Sequence, residues 1–220
     1  MVMEEKWDGL HTQKRFRPRY PSEHIVRFLF TYFPVDGRDH LKVLDLGCGG
    51  GRHTVLLAQE GFQTYATDIS IEGISHTNAW LGELGLKASV KKASMEVQPF
   101  PDSFFDGVMA FGVIYYNNFS GLKKTVAEIH RILKTGGQAL VYTKTTEDRR
   151  FSKSKPVGNN MFLINDMPDT GEQGMTMCLI GEEDINELFR SFSRIDVEKT
   201  ETTVNNRREK DSEWIITLTK

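Results

Sequence analysis

Apolar positions along the chain change their period repeatedly, and each change marks an element. Pro21 and Ser22 open a helix whose apolar side is Ile25, Val26, Phe28, Leu29 and Phe33, and Pro34 and Gly37 end it. Val43 and Leu44 begin a strand over 42–46. Val55, Leu56, Leu57 and Ala58 then read as helix over 51–60, stopped by Gly61. A strand over 63–67 and a helix over 71–84, with Ile71, Ile74, Leu81 and Leu84 at helical spacing, repeat the unit. Strands over 87–92 and 107–111 follow, the latter short and apolar as a central strand should be. Leu122, Val126, Ile129 and Leu133 share one helical face, Gly136 and Gly137 stop that helix, and 138–143 is the fifth strand. This order implies a parallel sheet covered on both faces, with right-handed crossovers.

The pattern fails at both ends of this core. The first twenty residues are polar, basic and aromatic, with Trp7, His11, Lys14, Arg15, Phe16, Arg17, Arg19 and Tyr20. Residues 146–178 have no clear period, and a stretch that long without elements is expected to be a lid or binding loop, or else disordered. A helix returns over 182–189. Two strands over 194–203 and 212–219 close the chain, joined at Val204, Asn205 and Asn206, with Trp214, Ile216 and Leu218 alternating against Ile215 and Thr217.

At 220 residues one α/β domain over 1–220 is expected, with 1–34 as an N-terminal cap and helix and 146–178 as an insertion. The formal net charge of −2 argues against a dedicated nucleic-acid binder. Cys48 and Cys178 are spaced for neither zinc nor a disulfide framework, so no metal is expected and the thiols suit a cytoplasmic protein. No signal peptide is apparent, and no apolar stretch is long enough to span a membrane.

The candidate chemistry lies at one strand-to-helix turn. Gly47, Gly49 and Gly51 alternate directly after the first strand, where only glycine lets backbone approach a ligand without a Cβ clash. The helix opening behind them favours an anionic group. Asp68, at the tip of the next strand, can accept from both hydroxyls of a ribose. The turn is therefore built for a nucleoside cofactor. It departs from the dinucleotide fingerprint, because Arg52 stands where a third spaced glycine belongs and Asp45 lies two places before Gly47.

The segment from Asp45 to Gly51, D-L-G-C-G-G-G, resembles motif I of the Rossmann-like (class I) S-adenosylmethionine (SAM)-dependent methyltransferases. Later segments extend the resemblance over about residues 15–145: Arg17 to Pro21, Ala93 to Phe100, Phe105 to Val108, and Arg131 to Gly137. The resemblance implies a doubly wound, mostly parallel seven-stranded sheet with a C-terminal antiparallel hairpin and helices on both faces. It implies that Asp45, Gly47, Cys48, Gly49 and Gly51 surround the methionine end of SAM. Asp68 and Ile69 would hold the ribose, Ser94 and Met95 the adenine, and Phe111 would face the methyl. S-adenosylhomocysteine (SAH) would be the product.

Tyr115 and Tyr116, at the end of the fourth strand, are the candidate catalytic residues, as hydrogen-bond donors rather than bases. That segment lacks the residues for amino-methylation of adenine and the Pro-Cys pair of cytosine C5 chemistry. His53 follows the loop as a first-turn helix residue. Arg17, Arg19 and Tyr20, together with Lys144, Arg149, Arg150, Lys153 and Lys155, suggest an anionic small-molecule substrate. Met161, Met167, Met175 and Met177 either line the lid or pack the loop. A tRNA or rRNA methyltransferase and a non-catalytic SAM-binding regulator are the alternatives. Oligomeric state is left open.

Overall fold

The computed structural model describes residues 3–158 and 160–220. Its centre is a seven-stranded sheet in the order β3-β2-β1-β4-β5-β10-β9. The strands are β1 (Lys42–Leu46), β2 (Gln63–Asp68), β3 (Ser89–Lys92), β4 (Phe105–Phe111), β5 (Leu133–Lys144), β9 (Arg194–Val204) and β10 (Glu209–Thr219). The first five pair in parallel, and β10 lies antiparallel between β5 and β9. This is the expected fold, with one strand turned inside an otherwise parallel sheet. The reversal rests on a turn whose Asn205, Asn206 and Arg207 all have positive φ, a conformation asparagine tolerates better than most residues.

Alternation along each strand sorts the core into two layers. Leu44, Leu46, Val108, Ala110, Ala139, Val141, Ile216 and Leu218 face one side. There they meet Leu122, Val126 and Ile129 of α5 (Phe119–Ile132) and Ile185, Leu188 and Phe189 of α7 (Glu182–Phe189). Val43, Met109, Leu140 and Ile215 face the other side. They meet Ile25, Phe28 and Leu29 of α2 (Glu23–Tyr32) and Leu57 of α3 (Arg52–Gln59). Burying each such side chain contributes about 1.5–3 kcal/mol. Gly107 in β4 leaves room for α2's exit, since a Cβ there would lie 2.6 Å from the Phe33 ring. Ser22 caps α2 by accepting from His24 N, and Ser70 caps α4 (Ile71–Glu83) by accepting from Gly73 N.

Two regions differ from expectation. The polar N-terminal stretch contains a helix, α1 (Met3–His11), with Glu4 and Glu5 in its first turn, as the helix dipole favours. The segment expected as an irregular loop instead folds into α6 (Arg149–Ser152) and an antiparallel sheet of β6 (Ser154–Gly158), β7 (Met161–Ile164) and β8 (Thr176–Cys178). Its small core joins Ile164, Met167, Met177 and Leu179 to Tyr115. Two of the four methionines therefore pack this sub-sheet. No described helix is long and apolar enough to cross a membrane.

Candidate functional site

The turn after β1 is tied down by backbone alone. Gly47 N and Cys48 N both donate to Thr67 O at the end of β2, at 2.8 and 3.0 Å. Gly47, Gly49 and Gly51 have φ of +75°, +51° and +90°, a region costly for residues with a Cβ. Space is short as well: a Cβ on Gly47 would overlap Val113, and one on Gly51 would lie 2.6 Å from Thr77 Oγ1.

Asp68 stands beside this loop. Its Oδ2 accepts from Gly49 N and its Oδ1 from Ser70 N, each at 2.8 Å. A carboxylate has about four acceptor sites, so each oxygen keeps one in reserve. Burial holds the Asp68 pKa above the ordinary carboxylate range. His11 reaches over from α1, with Nδ1 2.9 Å from Ser70 Oγ. Ser70 Oγ gives its own proton to Asp8 Oδ1 at 2.7 Å, so His11 Nδ1 is the donor and Nε2 carries the lone pair. Desolvation lowers the His11 pKa and keeps the imidazole neutral.

A cavity of about 330 Å³ opens at this point. Gly47, Cys48, Gly49, Asp68 and Ile69 form its floor. Ser94 and Met95 form one end, and Phe111, Val113 and Tyr116 the other. Its cover is the N-terminal segment: Met3, Trp7, His11, Phe16 and Pro18. Trp7 stacks on His11 and meets Tyr116 edge-on, with ring centroids 5.5 and 4.8 Å apart. Among the described residues, none of 146–178 lines this cavity.

The remaining sequence-predicted residues lie off the wall. Asp45 is 1% exposed behind the loop, where it accepts from Thr54 Oγ1 at 2.7 Å, and burial pushes its pKa up to about 6. It braces β1 against α3 instead of facing the cavity. Gly51 starts α3. Tyr115 belongs to the small core of the insertion. Its neighbour Tyr116 lines the cavity, and its hydroxyl donates to Glu172 Oε1 at 3.0 Å. Burial raises both tyrosine pKa values, so neither hydroxyl is a base near neutrality. Arg17 packs its stem on Gly50, Arg19 is exposed, and Tyr20 is 79% exposed.

The second basic group is committed to carboxylates. Lys144 pairs with Asp148 and Glu213, Arg149 with Asp211, Arg150 with Asp148 and Glu172, and Lys153 with Glu209. This network fastens the insertion to β10. Only Lys155 of the five remains on an exposed strand without a described ion pair.

Trp7, His11, Glu96 and Asn117 line the cavity without having stood out in the sequence. Arg52 and His53 line it too. Their position directly after the glycines was the available signal.

Residues 43–137 match a family model described as a methyltransferase domain. The ubiquinone/menaquinone biosynthesis C-methyltransferase UbiE of Bordetella avium is 30% identical over 154 residues, 68% of this chain and 57% of its own length. UbiE of Psychromonas ingrahamii is 36% identical over 131 residues, 55% and 51% of the respective lengths. The chain thus spans about half the length of the curated relatives it matches. A SAM-dependent methyltransferase from Methanosarcina mazei superposes with a TM-score of 0.71 at 21% identity, covering 88% of this chain and 96% of that one. Fold, domain match and relatives agree: residues 43–137 carry a methyltransferase domain, on the fold seen in SAM-dependent methyltransferases.

Proposed function

We propose that the chain transfers a methyl group from SAM to a small-molecule acceptor. The observation that carries this reading is Asp68: a buried carboxylate with acceptor capacity in reserve, beside a glycine cradle, in the wall of the cavity.

The residues present fit the cofactor. Asp68 and the His11 Nε2 lone pair offer acceptors to a ribose, and the backbone of Gly47 to Gly49 can lie against the methionine part. Leu46, Ile69 and Met95 give an apolar slot for adenine. Ser94 stands where the family's aspartate contacts the adenine amino group, and Glu96 offers a carboxylate two residues on. Bound there, SAM supplies an electrophilic methyl on a sulfonium that is already a good leaving group.

The chain's own work is alignment and exclusion of water. Trp7, Phe16 and Met3 close the cavity from above, and Phe111 and Val113 wall its far end. Tyr116 is held protonated, and its ring is fixed by Glu172 and Trp7. The UbiE relatives are named as ubiquinone/menaquinone biosynthesis C-methyltransferases. Carried to this chain, those names favour a carbon acceptor on a flat ring, which the aromatic lining suits. Nucleic acid is disfavoured as acceptor because four cations after β5 are already paired.

Methyl-labelled SAM incubated with the protein and a cell extract, split into small-molecule and RNA fractions, tests the reading. Label is expected in the small-molecule pool. Label confined to RNA, or none despite SAH binding, would overturn it.

A further inference from the structure

We propose that Arg52 and His53 form an oxyanion-binding corner of the cavity, which takes an acceptor bearing an ionised phenolic or enolic oxygen. This rests on the methyltransferase reading above and names the chemistry of its acceptor.

Among the described residues, Arg52 is the one lysine or arginine on the cavity wall. It forms no described ion pair. Its single described hydrogen bond goes to Tyr20 O at 3.3 Å, and its guanidinium lies 5.4 Å from the centre of the Phe111 ring. Three ionisable groups lie near it: Asp45, Tyr142 and His53. Asp45 is turned to Thr54, and the Tyr142 ring is stacked on Phe111 at 4.1 Å. A guanidinium with most of its five donors unpaired among the described residues therefore borders the cavity.

His53 completes the corner. It is 5% exposed, and its Nε2 accepts from Ser22 N at 3.2 Å. That bond places the proton on Nδ1, which bonds no described residue. Burial pushes the His53 pKa down to about 3, so the ring stays a neutral donor at every physiological pH. Its ring meets Phe111 edge-on at 5.1 Å, so the cation and the N–H donor flank the same aromatic wall. The two carboxylates of the cavity are engaged elsewhere: Asp68 with Gly49 and Ser70, Glu96 with Asn117 and Lys124.

A cation beside a neutral N–H donor favours the ionised form of an oxygen acid and lowers its pKa. An ionised ring oxygen raises electron density on the neighbouring carbons, which suits a carbon acceptor in a cavity whose tyrosines are not bases. The two histidines thus share the Nδ1–H tautomer but have opposite duties: the His11 Nε2 lone pair accepts at the cofactor end, and the His53 Nδ1–H donates at the acceptor end.

The test uses the full chain saturated with SAH and titrated with 4-nitrophenol, read by its phenolate absorbance. The bound probe is expected to ionise about one pH unit below the free probe. Arg52→Gln is expected to abolish that shift and weaken phenolate binding at least tenfold (about 1.4 kcal/mol). Arg52→Lys should keep part of both, and unchanged SAH affinity in each variant reports an intact fold. An unshifted phenolate band in the wild type, or the same shift in Arg52→Gln, overturns the proposal. Failure of the wild type to bind SAH overturns the methyltransferase reading itself.

Discussion

The glycine turn after β1 lines the site, the insertion between β5 and α7 stands behind it and holds its wall residue Tyr116, and the two are built in opposite ways. The turn is held by backbone hydrogen bonds and by the absence of side chains. Its parts lie within a few residues of one another, apart from Asp68. The insertion is held by charge: Lys144, Asp148, Arg150, Glu172, Asp211 and Glu213 form a largely buried network across more than sixty residues of sequence. The first construction leaves room for a ligand and reads clearly as a motif. The second fixes a wall, through Tyr116 and Glu172, and leaves little periodic trace.

If the two are separable in this way, mutations should divide their effects between stability and cofactor affinity. The largest effect is expected from Arg150→Ala, which leaves Asp148 and Glu172 buried with fewer partners. It should lower unfolding free energy by about 3–5 kcal/mol while changing SAH affinity less than about tenfold, as seen by denaturant titration and calorimetry. Equal losses in both would erase the distinction.

Asp68→Asn is the converse. It should weaken SAH binding by about 1.5–3 kcal/mol, roughly ten- to a hundredfold. Stability should fall by only about 1 kcal/mol, because the amide oxygen can still accept one of the two backbone N–H groups.

Asp45→Asn sharpens the point with the smallest change. Burial pushes the Asp45 pKa up to about 6 from an ordinary 3.8, so the folded state holds its proton more tightly than the unfolded one does. Folding stability from this group falls as pH rises between those values, and above about 6 the fold carries an unfavourable buried charge. The variant should therefore gain stability relative to wild type on going from pH 4 to pH 8. A difference independent of pH would mean that Asp45 ionises normally. Its SAH affinity should be unchanged, since Asp45 lies behind the loop.

Much of this was legible in the sequence for the same physical reason that makes the turn local. Gly47, Gly49, Gly51 and Asp68 announce themselves because backbone conformation and short spacing dictate residue type. The strands were legible because alternation assigns Leu44 and Val43 to different layers. Helix α1 was not, since Trp7 and His11 face a cavity instead of a core and leave no apolar stripe. The insertion was not, because strands of three to five residues are too short for a period to emerge, and its ion pairs join positions no local pattern links. The basic residues after β5 looked available for an anion because their carboxylate partners on β10 are distant in sequence.

The position of β10 has a kinetic consequence. Its partner β5 is complete at Lys144, but the register from Gln138 to Lys144 waits for residues 213–219. During synthesis, and in any unfolded state that recollapses, β5 therefore presents an open apolar edge, with Leu140 and Val141 along it, until the last hairpin arrives. Contact order of this kind slows folding and exposes the intermediate to aggregation. The same late strand carries Asp211 and Glu213. The charge network around Tyr116 is therefore assembled only in a chain whose sheet is already closed.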